Sequence, residues 1–404
     1  MKKMGFKEFL FIVPVLLLIG IFSVWPVIQS FTYTFFDYRL NDQTRAGLYL
    51  NERFEADLYN ERSFYIQRFI KADLENITDE SDKEAAQEVI SSLQALDERF
   101  KDEEGVLKIE QEEADQVKNT YLLASKTIAD LNQKYELQQG ENLPELIEDI
   151  NASLIQSNFI GLDGYKKALS DERLLTATVN TVIFTVVSVF FELILGLGMA
   201  MIMNQAIRGQ GFIRVSSLIP WAIPTAVAAL MWNYLYDGNA GVVAEMFANL
   251  GLIDNPQDLL LTAPGAMTAS ILADVWKTTP YMAILLLAGL QTIPGSLYEA
   301  GSIDGATKWQ QFIKITLPLL KPSMLVALLF RTLDAFRVFD LIYVLTGGGP
   351  GGATETLSIY SYKTMFSQTN FGYGSVVVMI MFVCVAIISI IYVRVLGANL
   401  MEKN

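Results

Sequence analysis

Arg331, Asp334, Arg337 and Asp340 recur every third residue within Pro322 to Leu345, a segment otherwise apolar enough to cross a membrane. A spacing of three drifts slowly around a helix and keeps successive charges within ion-pairing reach. Charge at membrane depth is tolerated when it is paired or faces a watery cavity, so this stripe is expected to point into a bundle interior. The chemistry open to such groups is ion pairing, hydrogen bonding to a polar solute, or proton carriage. Bond-making catalysis is a poor fit, because the chain has no histidine and a single cysteine, Cys384. That composition removes the commonest metal ligand and general base, together with any Ser-His-Asp or Cys-His arrangement.

Asp274 and Lys277 lie in a second apolar segment, Met267 to Gln291, and could pair with each other or with the stripe. Arg331, Asp334, Asp274 and Lys277 are therefore read as structural or pathway ion pairs. Glu192 is alone in its segment and should find a donor such as Asn180, an arginine or water. Phe336, Phe339 and Tyr343 flank the stripe, and Trp232 and Asn233 sit in another apolar segment. Hydroxylated solutes suit such surroundings, since sugar ring faces stack on aromatics while hydroxyls take directional hydrogen bonds. Trp232, Asn233, Arg337, Asp340 and Tyr343 are the candidate pathway residues.

The elements that would position these groups are long apolar helices. Of 404 residues, 52% are hydrophobic and only 18% charged, and about 20 apolar residues suffice for one helical crossing. Phe9 to Ile28, Val182 to Met203, Ser216 to Tyr236 and Val376 to Val393 satisfy this with at most one charge. With the two polar-striped segments they make six spans, hence an all-α polytopic membrane protein. The first span follows Lys2, Lys3 and Lys7 but lacks a small-residue cleavage site, and reads as a retained anchor. Those lysines, with Arg208 and Arg214 in one loop and Lys403 in the tail, predict cytoplasmic N- and C-termini.

Between the first two spans lies a polar insert, residues 37–160, with 28 acidic and 13 basic residues against a chain total of −14. Val89, Ile90, Leu93 and Leu96 recur there at helical spacing, predicting a small extracytoplasmic helical hairpin or bundle. The domain division is thus 1–36 for the tail and first span, 37–160 for the insert, and 161–404 for a five-span core. The glycine-rich run "TGGGPGGATE" lacks the Lys-Ser/Thr ending of a phosphate loop and reads as a flexible gate-side loop.

Within the core, residues 294–321 form a polar cytoplasmic loop. Pro294 suits a first helical turn, Asp304-Gly305 a turn, and Trp309, Phe312 and Ile315 a second helical run. Glu299-Ala300, Asp304-Gly305-Ala306 and Ile315-Thr316-Leu317-Pro318 resemble the EAA loop of binding-protein-dependent ABC importer permeases, with Gly301 where that pattern usually has alanine. "NTVIFTVVSVFFELILGLGMAMIMNQ" and "FRVFDLIYVLTGGGPGGATETLSIYSYKTMF" resemble the sugar-type branch of the same family.

The resemblance implies that Tyr298, Glu299, Ala300, Gly301, Asp304, Gly305 and Ala306 form a coupling loop seated on a separate ATPase. It implies as partners a second homologous permease, two ATP-binding cassette subunits and an extracytoplasmic solute-binding protein. It places the chain in a prokaryotic inner membrane, with no cofactor of its own, no nucleic-acid partner, and ATP and magnesium on the ATPase. The expected function is alternating-access import of a sugar or oligosaccharide without hydrolysis on this chain. An ion-coupled secondary transporter, or a membrane receptor with a helical sensor, are the alternatives from other classes.

Overall fold

The computed structural model describes residues 6–205 and 209–401. Lys2, Lys3, Arg208 and Lys403, on which the expected orientation partly rests, lie outside them. Two compact units are present, one built from Met1–Thr34 with Leu162–Asn404 and one from Phe35–Gly161.

Among the described residues of the first unit five helices are long and apolar enough to cross a membrane: Ile12–Tyr33, Glu172–Asn204, Ala263–Leu290, Lys308–Phe336 and Phe371–Val395. A bent pair, Gln210–Ala222 and Thr225–Leu235, makes a sixth when taken as one span, and in chain order it is the third, with Ala263–Leu290 the fourth and Lys308–Phe336 the fifth. Its 85° bend has a local cause. Pro224 offers no N–H to the Pro220 carbonyl one turn earlier, and Ile223 takes an extended conformation with ψ 134°.

Glu172–Asn204 and Ala263–Leu290 form the most extensive helix pair. Gly196 permits it, since a Cβ there would stand 2.8 Å from Met282 Cγ and 3.3 Å from the Ala283 backbone nitrogen. Ala200, Ala273, Met282, Ala283 and Leu286 fill the core around this contact.

The striped segment departs from the single span expected over Pro322 to Leu345. Its helix stops at Phe336, and a short second helix runs from Asp340 to Leu345. The Arg337 N–H turns back to the Asp334 carbonyl at 3.2 Å, and the Val338 N–H to Ala335 at 3.1 Å. These tight bonds close the helix, so Arg331 and Asp334 lie on it, Arg337 caps it, and Asp340 starts the next.

The second unit has four helices, Ala56–Asp73, Glu80–Phe100, Gln111–Lys134 and Leu143–Ala152. Asp79 caps the second by accepting the Ser81 and Asp82 N–H groups, and Glu110 with Glu113 forms a capping box on the third. Val89, Leu93, Ile66, Ile128 and Leu143 are buried together with Phe54 and Phe100. Three very short antiparallel strands, Val106–Lys108, Arg53–Glu55 and Leu154–Ile155, join the helices, with Arg53–Glu55 central. This sheet has no signature in the residue pattern, because strands of two or three residues are too short for an alternating pattern to register.

Leu93 is fully buried in that core. Leu93→Ala is expected to destabilise the 35–161 unit by about 2–5 kcal/mol. Amide hydrogen exchange on the full-length chain should show protection lost across Ala56–Asp73 and Glu80–Phe100, while the apolar spans keep theirs.

Candidate functional site: a buried charge cluster beside a polar cavity

Three helices converge on one guanidinium. Arg331, 1% exposed, reaches Glu192 on helix Glu172–Asn204, Asp274 on helix Ala263–Leu290, and Asp334 one turn along its own helix. Its Nε lies 2.5 Å from Glu192 Oε2, its Nη2 donates to Glu192 Oε1 at 2.8 Å and to Asp274 Oδ2, and its Nη1 donates to Asp334 Oδ2 at 2.9 Å. Thr278 Oγ1 adds a 2.8 Å hydrogen bond to Glu192 Oε1. Glu192 is fully buried and Asp274 nearly so, whereas the Asp334 side chain is 63% exposed. Glu192 thus has an arginine partner, and Asn180 donates instead to the Gly352 and Glu355 carbonyls at 3.0 and 3.1 Å.

A cavity of about 230 Å³ opens beside this cluster, lined by Trp221, Asp274, Lys277, Arg331, Arg337 and Asp340 among others. A larger cavity of about 690 Å³ is lined by mostly apolar side chains of the second, bent and fourth spans, and two others, of about 490 Å³ in the 35–161 unit and about 420 Å³ beside Glu355, carry charged pairs such as Lys118–Glu52 and Arg173–Glu355 that do not bring three spans together. Lys277 does not pair with Asp274. Its ammonium donates to the Ile223 carbonyl at 2.7 Å and the Trp221 carbonyl at 3.3 Å, at the break of the bent span.

Of the residues expected along the pathway, Arg337 and Asp340 line this cavity and Trp232, Asn233 and Tyr343 do not. Trp232 packs on Tyr236 and Trp276 with centroids 5.0 and 5.4 Å away. The Asn233 amide donates to the Leu345 carbonyl at 2.9 Å, and Tyr343 stacks on Phe339 at 5.1 Å. Trp221 lines the cavity and was not singled out from the sequence. The proline pair four residues apart was the available signal for a broken helix there.

The 294–321 loop is a helix-turn-helix. Helix Gly295–Ile303 ends at Asp304, Gly305 turns with φ +77°, and Thr307 with Gln310 forms a capping box on Lys308–Gln311. Gln311, only 3% exposed, ties the limbs together by donating to Ser302 Oγ at 2.8 Å and the Tyr298 carbonyl at 3.3 Å. Tyr298 Oη and Thr316 Oγ1 meet at 3.0 Å. A Cβ at Gly301 would lie 3.2 Å from Ile315 Cδ1, so alanine would crowd the close packing of the limbs. The outer surface presents Glu299, Ala300, Asp304 and Gly305, with Ile303 86% and Trp309 67% exposed. From Lys308 the chain continues as helix to Phe336 through one wide turn at Phe312–Thr316.

The glycine-rich run is not the flexible loop expected. Thr354 Oγ1 donates to the Gly349 carbonyl and meets Thr346 Oγ1, both at 2.7 Å, and the Leu357 N–H donates to Thr181 Oγ1 at 2.9 Å. Glu355 accepts two hydrogen bonds from Arg173, at 2.7 and 2.9 Å, and pairs with Lys363 at 3.0 Å. Burial pushes the Glu355 carboxyl up, but these hydrogen bonds outweigh it and hold the group below the ordinary range.

Apolar spans around a charged interior, with an exposed helix-turn-helix continuous with one of them, define a multi-pass membrane transport subunit. Residues 192–400 match the family described as "Binding-protein-dependent transport system inner membrane component", and the chain belongs to that family. It is 47% identical over 237 residues to the "Trehalose/maltose transport system permease protein MalF" of Thermococcus litoralis, covering 59% of this chain and 79% of that one. It is 42% identical over 240 residues to the "Trehalose transport system permease protein SugA" of Mycobacterium tuberculosis, covering 59% and 76%. The fold matches a bacterial ABC transporter involved in alginate import with a TM-score of 0.54 and 23% identity, covering 59% of this chain and 84% of that one. The chain is accordingly a transport subunit of an ABC importer and not a catalytic one.

Removing Arg331 would strand two buried carboxylates, a loss of about 3–5 kcal/mol. Arg331→Met should sharply lower the yield of folded chain and its midpoint of thermal unfolding in detergent. Adding Glu192→Gln and Asp274→Asn should restore both, because the isolated charges are then gone.

Proposed function

We propose that this chain lines the membrane pathway of an ATP-driven importer for a neutral polyhydroxylated solute, a sugar or oligosaccharide. The supporting observation is the continuity of helix Lys308–Phe336, which runs from the exposed loop to Arg331 and the polar cavity. Force applied at the loop has a stiff route to the groups that face solute. In this reading Tyr298, Glu299, Ala300, Gly301, Asp304, Gly305 and Ala306 form the coupling surface for a separate ATPase, which holds ATP and magnesium.

The solute class rests on charge balance. Asp274, Asp334 and Asp340 line the cavity against Lys277, Arg331 and Arg337, and Glu192 behind them also pairs with Arg331, leaving hydrogen-bonding capacity without the positive excess that an anionic solute would need. Trp221 offers an aromatic face, the usual complement of a sugar ring. The trehalose and maltose permeases among the relatives support the same class. Solute would arrive on an extracytoplasmic binding protein, with both termini and the coupling loop cytoplasmic and a second homologous permease, with its own ATPase subunit, completing the pathway. The 37–160 insert would lie on the delivery side. Arg337, Asp340 and Trp221 are the groups assigned to solute, and Trp232, Asn233 and Tyr343 support the wall behind them.

Gly305 provides the test. Its φ of +77° favours glycine or asparagine, and no atom lies within 4 Å of the Cβ it lacks. In vesicles containing the partner subunits and binding protein, Gly305→Asn should keep ATP-driven uptake of maltose or trehalose. Gly305→Trp should abolish both uptake and stimulated ATP hydrolysis while leaving the spans folded. Uptake that needs no ATP would replace this reading with an ion-coupled transporter.

A further inference from the structure

The bend in the third span frees backbone carbonyls that a continuous helix would satisfy. In an unbroken helix the Trp221 carbonyl would accept from Thr225 and the Ile223 carbonyl from Val227. The bend removes these partners at a depth where an unpaired carbonyl costs several kcal/mol and where irregular backbone is tolerated only beside a cavity. Lys277 supplies the replacement through two donors of one ammonium, at 2.7 and 3.3 Å. It is 7% exposed, and no carboxylate lies within ion-pairing distance of it among the described residues. One turn along the same helix, Tyr281 stacks on the Trp221 ring, with centroids 5.6 Å apart and planes 11° from parallel. One face of helix Ala263–Leu290 therefore grips both the backbone and the side chain of the broken segment.

We propose that Lys277 is a positioning residue for transport, its ammonium bracing the bend so that Trp221 and Thr225 form a fixed wall of the cavity. The third ammonium proton is left for that cavity, which Lys277 also lines. A simple ion-pair role does not explain the geometry, because two of the three donors go to carbonyls and none to a carboxylate. The inference rests on the cavity being the solute pathway, so the two must be able to fail separately.

The variants are Lys277→Met, which keeps the stem and removes the donors, and Lys277→Arg, which keeps them, both in a Cys384→Ser background. Spin labels at exposed Phe212 and Leu230, one on each limb of the bend, report the bend without needing solute. In proteoliposomes with the partner subunits and binding protein, the coupling ratio is measured as radiolabelled maltose or trehalose imported per ATP hydrolysed. Lys277→Met should broaden the distance distribution and lower the coupling ratio by about tenfold, the order for losing a charge-assisted hydrogen bond, while stimulated ATP hydrolysis persists. Lys277→Arg should recover most of both.

An unchanged distance distribution in Lys277→Met would overturn the brace whatever the pathway is. A broadened distribution with an unchanged ratio would overturn its role in transport. Parallel loss of import and ATP hydrolysis, with the ratio constant, would mean general damage and also overturn it. Asp340→Ala separates the underlying reading: if it too leaves the ratio unchanged, the cavity is not the pathway.

Discussion

The constraint on which the core depends is the neutralisation of Arg331. A buried guanidinium is costly, and so are the two buried carboxylates of Glu192 and Asp274, yet together they satisfy one another across three helices. Such a cluster adds little net stability compared with apolar packing, but it strongly penalises any arrangement that separates its members. The second, fourth and fifth spans are thereby held in one register, and Gly196 against Met282 tightens two of them further. Asp334, mostly exposed, extends the network to the cavity.

Backbone satisfaction sets the second level of organisation. Within a bilayer every N–H and carbonyl needs a protein partner or a watery space, and this core departs from regular helix in three informative places. The third span bends beside Lys277, the fifth stops after Phe336 where the cavity begins, and the glycine-rich run closes on itself through Thr354, Asn180 and Thr181. Each irregularity has named donors. Glu355, between Arg173 and Lys363, ties the last of these to the second span.

Much of this was legible in the sequence. Long apolar stretches announce spans because composition alone decides whether about 20 residues can cross, and the EAA-like spacing located the helix-turn-helix around Gly305. The stripe from Arg331 to Asp340 was legible as charge but not as geometry, since a helix end set by two tight backbone bonds has no signature in residue spacing. Glu192 illustrates the same limit: its need for a donor could be deduced, but the choice of Arg331 depends on how three helices pack. Lys277 was invisible as a carbonyl brace because its acceptors carry no side-chain identity. The short strands of the insert and the Glu355 network escaped for related reasons, one too brief for periodicity and the other assembled from residues far apart in the chain.

The central claim is that helix Lys308–Phe336 acts as one stiff lever between the exposed loop and the charge cluster. Labels at Trp309 and Phe330, both exposed, should be separated by about 32 Å at 1.5 Å per residue. The direct measurement is that distance by pulsed spin-label spectroscopy in the assembled transporter, without nucleotide and with bound ATP, alongside a second pair at Trp309 and Phe382. The expected result is an unchanged first distance and a shifted second one. A first distance that changes or broadens on ATP binding would place the flexing within the helix, at the wide turn Phe312–Thr316 or at Pro322, and contradict the claim.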